Sequence, residues 1–323
     1  MITENTSDIW DGIVKAHSGH PLQLSGWGRV KESTSSWQVI HAIHQDRVSN
    51  RIDFAQILIH KTPLGKLGYI PRGQNLSTGL LHELRAVMKR ERLFMLRFEP
   101  NVDKDKWLIK IGTVNAATPK LQTARDHILL TRTIQLDLTQ TPEALLTAMD
   151  AKTRQYIRRG ERDVALGVRP AAADDLPRIL EIYHVTAKRA GFPLHRDIYY
   201  QTVLEQMGKA NHIFVAAVDD NVEAFLWCVK TPAVCVELYG GATDTGLRSR
   251  ANYLLKWQTI LAAQNDGCKT YDLNGLLNDG ISKFKLGFSG GAETALAPTG
   301  DLVANPLLYF LFTTFLPLAK KLQ

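Results

Sequence analysis

The chain has 323 residues, enough for two cores on a soft measure of about 150 residues per domain, and its 45% hydrophobic and 22% charged content argues against extended disorder. Its formal charge of +7, from 39 Lys and Arg against 32 Asp and Glu, leans toward polyanionic partners such as nucleic acid, nucleotide phosphates or an anionic membrane face. Three cysteines, Cys228, Cys235 and Cys268, none in a CxxC, exclude a paired disulfide framework; packed thiols in a reducing cytoplasm are expected, and no metal.

The first residues, MITENTSDIWDGIV, are acidic and polar where an export signal would be basic and then apolar, so export is not expected. The run WQVIHAIHQDRVSNRIDFAQILIHKTPLGKLGYIPRG predicts three strands separated by turns, the last ending in Gly73. A helix follows in TGLLHELRAVMKRER, with Leu81, Leu84 and Met88 on one face, and then the strand LFMLRFEP. The same order returns in HIFVAAV, EAFLWCVK and VCVELYGG, the helix ANYLLKWQTILAAQNDG, whose buried face is predicted as Leu254, Trp257 and Leu261, and the strand KTYDLNG. Two copies of strand, strand, strand, helix, strand argue for an internal duplication joined near Thr131. The expected domains are 1–130 and 131–300, with the segment 301–323 a candidate to pack on the first. Within that segment the apolar run Pro306 to Lys321 is shorter than the roughly 20 residues that span a bilayer and contains Pro317. It reads either as a helix docked on the core or as an apolar lip, ending in Lys320 and Lys321, that touches a membrane surface.

Antiparallel strands followed by a helix and a further strand describe an α+β protein with mixed sheets, and that order is typical of the acyl-CoA N-acetyltransferase (GNAT) fold. In that fold a turn of the form Q/R-x-x-G-x-G/A holds the CoA pyrophosphate on backbone amides. The matching turn here, GLRSRANYLL, has Ser249 and Ala251 in place of the glycines, which disfavours simple CoA-dependent acetylation.

Several stretches carry candidate chemistry. In DAKTRQYIRRGERD, Lys152, Arg154, Arg158, Arg159 and Arg162 fall within three helical turns, with Arg154 and Arg158 on one face; the helix reads as a solvated face or a phosphate-binding one. In AGFPLHRDIYYQ, Arg196 and Tyr200 are four apart and expected on one helix face, where a guanidinium can fork onto diphosphate beside a phenol. Tyr199 reads as a packed aromatic. The stretch DGISKFKLGFSGG is expected to be a strand with Lys283 and Lys285 on one face and Phe284 on the other, its glycines letting the chain pass close to a bulky substrate. The alternative there is an exposed strand with two solvated lysines. No Ser-His-Asp or Cys-His arrangement emerges, and His184 and His195 read as surface or core residues.

Taken together, QLDLTQTPEALLTAMDAKTRQYIRRGERDVALGVRP, YGGATD, ANYLLKWQTILAAQNDGCKTYDLNG and FKLGF, with LSGWGRVK, KTPLGKLGYIPRG and FMLRFEP in the first copy, resemble the Fem-type (FemABX) peptidoglycan aminoacyltransferases, over Leu22 to Asn305. No heptad arm is present, so the chain resembles the compact form. The resemblance implies two GNAT-like domains and transfer of an amino acid from aminoacyl-tRNA to a stem-peptide amine of a UDP-linked muropeptide or lipid II, without a cofactor. It nominates Lys285, beside Phe284, as the cation facing the oxyanion formed when the amine attacks the ester. Arg196 and Tyr200 would touch the nucleotide-linked substrate, Tyr239 would lie near the peptide and Lys31 would bind phosphate, with Lys283 facing phosphate or solvent. Glu99 stands where the family has Asp, one methylene longer, near the acceptor amine. The Lys152 to Arg162 helix would meet tRNA. A cytoplasmic monomer, with a candidate contact to the inner membrane face through 306–321, fits this reading. The alternatives are a GNAT-fold enzyme using another acyl donor and a non-catalytic relative that binds nucleotide-sugar or tRNA; the identity of the amino acid and the form of the acceptor stay open.

Overall fold

The computed structural model describes residues 4–46, 50–107, 119–277 and 279–321. The chain divides into two compact units, Met1–Thr131 together with Ala295–Gln323, and Arg132–Thr294.

In the first unit a six-stranded sheet runs in the order Trp37–Gln45, Ile52–Thr62, Gly65–Gly73, Leu93–Pro100, Gly300–Val303, Lys120–Thr123. Gly65–Gly73 and Leu93–Pro100 are parallel, which requires a crossover, and the helix Thr78–Glu91 supplies it. Ser77 caps that helix by accepting the Leu80 N–H at 3.0 Å, and Arg92, at φ 55, closes it. Its buried stripe is Leu80, Leu81, Leu84, Val87 and Met88, the i, i+3, i+4 set that apolar spacing dictates. Every residue of Leu93–Pro100 is buried, as befits a central strand.

The strand Gly300–Val303 was not foreseen: four residues are too few to show an alternation. It lies antiparallel between Leu93–Pro100 and Lys120–Thr123, and its fully buried Asp301 takes both arms of Arg97 at 2.9 Å and the Tyr309 hydroxyl at 2.9 Å. The helix Pro306–Lys321 then packs Leu308, Tyr309 and Phe312 against Leu67, Phe94 and Met95, while Leu307 and Phe310 stay 66% and 51% exposed. Among the described residues no helix is long and apolar enough to cross a membrane.

The second unit repeats the design, with sheet order Gln135–Asp137, Thr270–Asp272, Val234–Ala242, Asn221–Lys230, Asn211–Val218, Leu166–Pro170. Its parallel pair is Val234–Ala242 with Thr270–Asp272, bridged by the helices Asp244–Arg248 and Ala251–Asn265. Leu254 and Trp257 are buried on the longer helix, but Ile260 rather than Leu261 continues the stripe. The three cysteines are buried thiols, and no metal-ligating cluster occurs among the described residues. At Gly246 a Cβ would lie 2.4 Å from the Glu223 carbonyl oxygen, which is backbone and cannot swing aside. Gly246→Ala is therefore expected to destabilise the unit by about 1–3 kcal/mol, read from denaturant midpoints; an unchanged midpoint would show that the helix relaxes away.

The stretch expected as a strand is instead the helix Gly280–Leu286, continued by a single tighter turn, Gly287–Ser289. Asp279 is the reason: its carboxylate accepts the Ser282 N–H at 2.7 Å and starts the helix, while Gly290, at φ 61, ends it. At 3.6 residues per turn, positions 283 and 285 diverge by about 200°, so the two lysines do not share a face. Lys283 is exposed and Lys285 turns inward.

Candidate active site

A cavity of about 290 Å³ opens in the second unit over the latter half of strand Val234–Ala242. Its walls are Tyr183, Thr186 and Arg189 of the helix Leu176–Ala190, Asn252, Leu255 and Lys256 of Ala251–Asn265, and Ile281, Phe284 and Lys285 of Gly280–Leu286. The strand reaches this wall through an irregularity in its pairing. Trp227 faces Tyr239 and Cys228 faces Glu237, so Leu238 is left over, and Glu237, Leu238 and Tyr239 all line the cavity.

Its floor is charged. Glu237 and Lys256, 6% and 4% exposed, form an ion pair, and the Tyr271 hydroxyl donates to Glu237 Oε1 at 3.0 Å. Lys256 also lies 5.3 and 5.6 Å from the rings of Phe284 and Phe288. Lys285 Nζ donates to the carbonyls of Asn274 and, at 3.0 Å, Gly275. Both residues have left-handed backbones, φ 50 and 49, which turns their carbonyls inward, and Asn274 is pinned by donating from N to Asp272 at 2.7 Å and from Nδ2 to the Glu237 carbonyl at 2.9 Å. An ammonium has three donors, so one remains for the cavity. Burial lowers the pKa of Lys285; Glu237 opposes this and Lys256 adds to it. The buried Asn252 Oδ1 has no protein partner and is an open acceptor on the same wall.

An aromatic cluster closes the other side, with Tyr239 5.1 Å from Tyr200 and 5.8 Å from Tyr183 between ring centres. Burial first, and then Tyr199, which is hydrogen-bonded to it, hold the Tyr239 phenol well above its ordinary pKa. Tyr239 therefore stays a neutral donor.

The structure brings Lys285, Phe284 and Tyr239 together and separates others. Arg196 and Tyr200 do not stack on one helix face, because Arg196 is the extended residue, φ −66 and ψ 150, that precedes the helix Asp197–Met207. Arg196 is exposed, whereas Tyr200 is buried and accepts the His195 N–H at 3.1 Å. His184 and His195 are exposed, the former 2.7 Å from Asp197. In the first unit Lys31 sits on the helix Ser25–Ser35 with its ammonium 4.7 Å from the Trp27 ring. Glu99 is buried, and its carboxylate already accepts from the Tyr69 hydroxyl at 2.5 Å and from the N–H groups of Ile128 at 2.5 Å and Leu129 at 3.1 Å. Those bonds fasten the Ile128–Leu129 loop to the sheet and leave the carboxylate little capacity for an amine.

On the basic helix Ala151–Gly160, Arg154 turns back to the carbonyls of Met149 and, at 3.2 Å, Thr147, so it holds the end of the helix Pro142–Ala148. Arg158, Arg159 and Arg162 are exposed and share a shallow groove with it. Lys152 lies 6.0 Å and Arg250 5.0 Å from the Tyr156 ring, which adds a cation that sequence reasoning missed. Glu237 and Lys256 were missed too. Their signal was a charge inside an apolar run, VCVELYGG and ANYLLKWQTI.

Residues 6–226 match the FemAB family. The chain is 25% identical over 222 residues to the lipid II:glycine glycyltransferase of Staphylococcus haemolyticus (strain JCSC1435), a match covering 62% of this chain and 51% of that protein. A second such match, 25% over 210 residues, is to the lipid II:glycine glycyltransferase of Staphylococcus aureus, covering 60% of this chain and 49% of that one. The chain thus spans about half the length of these relatives. Among solved structures, FemX superposes with a TM-score of 0.80 at 17% identity, over 95% of this chain and 98% of that one. L-PGS from Bacillus licheniformis follows the same fold less closely, at a TM-score of 0.55 and 13% identity over 96% of each chain. At those identities the likeness concerns the fold: two GNAT-like domains with mixed sheets. The family match ends at residue 226, short of Glu237, Lys256 and Lys285.

Proposed function

The chain belongs to the FemAB family, and from that premise we propose that it is an aminoacyltransferase that moves an amino acid from aminoacyl-tRNA onto an amine of a peptidoglycan precursor. The observation that carries this reading is Lys285, a desolvated ammonium held by two carbonyls with one donor free toward a closed-in cavity. The relatives' names support lipid II as the acceptor.

The chemistry asks little of acids and bases. The acceptor amine attacks the ester carbonyl, and the carbonyl oxygen becomes an oxyanion to which Lys285 donates. The ester C–O bond then breaks, the ribose oxygen leaves with the proton that the amine gives up, and an amide remains. Because the ester is already activated, positioning supplies much of the rate, and the cavity lining contains neither His nor Cys. Asn252 Oδ1 would accept an N–H of the incoming amine and Tyr239 would hold the peptide.

A pH dependence follows with a fixed sign. The working form of Lys285 is protonated, and burial lowers its pKa, so turnover is expected to fall on the alkaline side below the ordinary lysine range of about 10.4. A kcat profile whose alkaline limb sits at that ordinary value would contradict the assignment.

For the donor, the exposed Arg158, Arg159 and Arg162 would meet tRNA phosphates. Replacing Arg158 and Arg159 by Ala should weaken tRNA binding and flatten the dependence of log affinity on log salt by about 1–2; an unchanged slope would remove this helix from the donor path. For the acceptor, the exposed Leu307 and Phe310 would rest on the inner membrane face. The reading as a whole is tested by the discharge of charged tRNA, which is expected to require the acceptor; discharge at one rate with and without it would mean a hydrolase.

A further inference from the structure

We infer that the first unit carries a second binding site, for a carboxylate, built by His20 and Arg72. Arg72 lies near the end of strand Gly65–Gly73, where the pairing with Leu93–Pro100 slips between Ile70 and Gly73. Its φ of 48 is a left-handed conformation that arginine adopts only when the surroundings impose it. The side chain is 4% exposed and makes one hydrogen bond, from Nη2 to the Leu130 carbonyl at 2.9 Å; among the described residues it forms no ion pair. A guanidinium has five N–H donors, so most of a buried charge is uncompensated.

His20 stands beside it. This residue is 3% exposed and opens the short turn Pro21–Gln23, whose Gln23 Nε2 donates to the Pro71 carbonyl at 2.6 Å, next to Arg72 in the chain. His20 Nδ1 accepts the Leu22 N–H at 3.1 Å, which puts the ring proton on Nε2, and that nitrogen is buried without a partner. Burial, and then the Arg72 charge, hold the imidazole well below its ordinary pKa, so the ring is neutral. One cation and one neutral N–H converge, and no acceptor answers them. Glu99 cannot, because its oxygens are taken by Tyr69, Ile128 and Leu129.

The location has a counterpart. The cavity of the second unit lies at the carboxyl end of the parallel pair Val234–Ala242 and Thr270–Asp272, and Arg72 lies at the carboxyl end of the parallel pair of the first unit. Ligands in such sheets gather at these ends. A single guanidinium with a neutral N–H balances a monoanion and not a dianion, which selects a carboxylate, such as a peptide C-terminus, over a phosphate.

This goes beyond the transfer reaction and is tested by binding alone, so it survives or fails independently of that reading. In 15N-histidine-labelled protein, the His20 Nε2–H resonance is followed during titration with N-acetyl-alanyl-alanine, its C-terminal amide and inorganic phosphate, with His20→Gln giving the assignment. The free acid is expected to move the resonance saturably, the amide not at all and phosphate at least about tenfold more weakly, and Arg72→Gln to weaken the free acid by about tenfold or more. Equal responses to acid and amide, no response to the acid, or tighter binding of phosphate would overturn the proposal. Should Arg72→Gln fail to fold, the comparison of acid with amide on the unaltered protein still decides.

Discussion

Lys285→Met is expected to lower turnover by about 10²–10³ with little change in acceptor affinity, because a donor aimed at the oxyanion acts chiefly in the transition state. The methionine keeps the stem that packs beside Phe284 and loses only the ammonium. Lys283→Met is the internal control: its side chain is exposed on another face of the same helix, and its loss should leave turnover nearly unchanged. Steady-state kinetics on the two variants separate the cases. Survival of Lys285→Met within about threefold would remove the oxyanion role.

Lys256→Met is expected to act first on stability. It leaves the Glu237 carboxylate buried with the Tyr271 hydroxyl and no cation in its ion pair, a change that costs about 3–5 kcal/mol in buried pairs. Pairing it with Glu237→Gln removes the stranded charge, so the double variant should recover a good part of that loss. Denaturant midpoints for the two single variants and the double variant measure the coupling, and strict additivity would mean that the pair contributes no interaction. A second readout bears on the chemistry. Lys256 pushes the Lys285 pKa down and Glu237 pulls it up, so in Lys256→Met the alkaline limb of the pH profile should move to higher pH.

The fold was legible where the sequence repeats itself. Strand triplets such as IDFAQILIH and EAFLWCVK, each set followed by an apolar-striped helix and one more strand, carry their period over enough residues to be read twice. Short or capped elements were not legible in the same way. Gly300–Val303 has four residues and takes its place from partners about 200 residues earlier, Arg97 among them. In DGISKFKLG the local competition was between alternation and a cap, and Asp279 with Ser282 settled it toward helix.

The candidate site was legible where chemistry sits on a motif and not where tertiary contacts create it. Lys285 and Phe284 could be nominated by resemblance, although the strand geometry assigned to them was wrong. Glu237 and Lys256 are 19 positions apart and become a pair only when the helix Ala251–Asn265 lies on the sheet. Arg196 shows the opposite failure, since a spacing of four means a shared face only if both residues are inside the helix. Arg154 was expected to bind an external phosphate, yet carbonyls of its own chain occupy its guanidinium.

The most direct test of the central claim is the mass of the acceptor after reaction. Purified protein is incubated with tRNA charged with a single amino acid and with lipid II, in separate reactions for each amino acid, and the lipid-linked peptide is weighed by mass spectrometry. The account predicts a product heavier by whole amino-acid residues joined through an amide, formed by the unaltered protein and slowed with Lys285→Met. Unmodified lipid II across all charged tRNAs, and equally unmodified UDP-linked muropeptide under the same conditions, would contradict it.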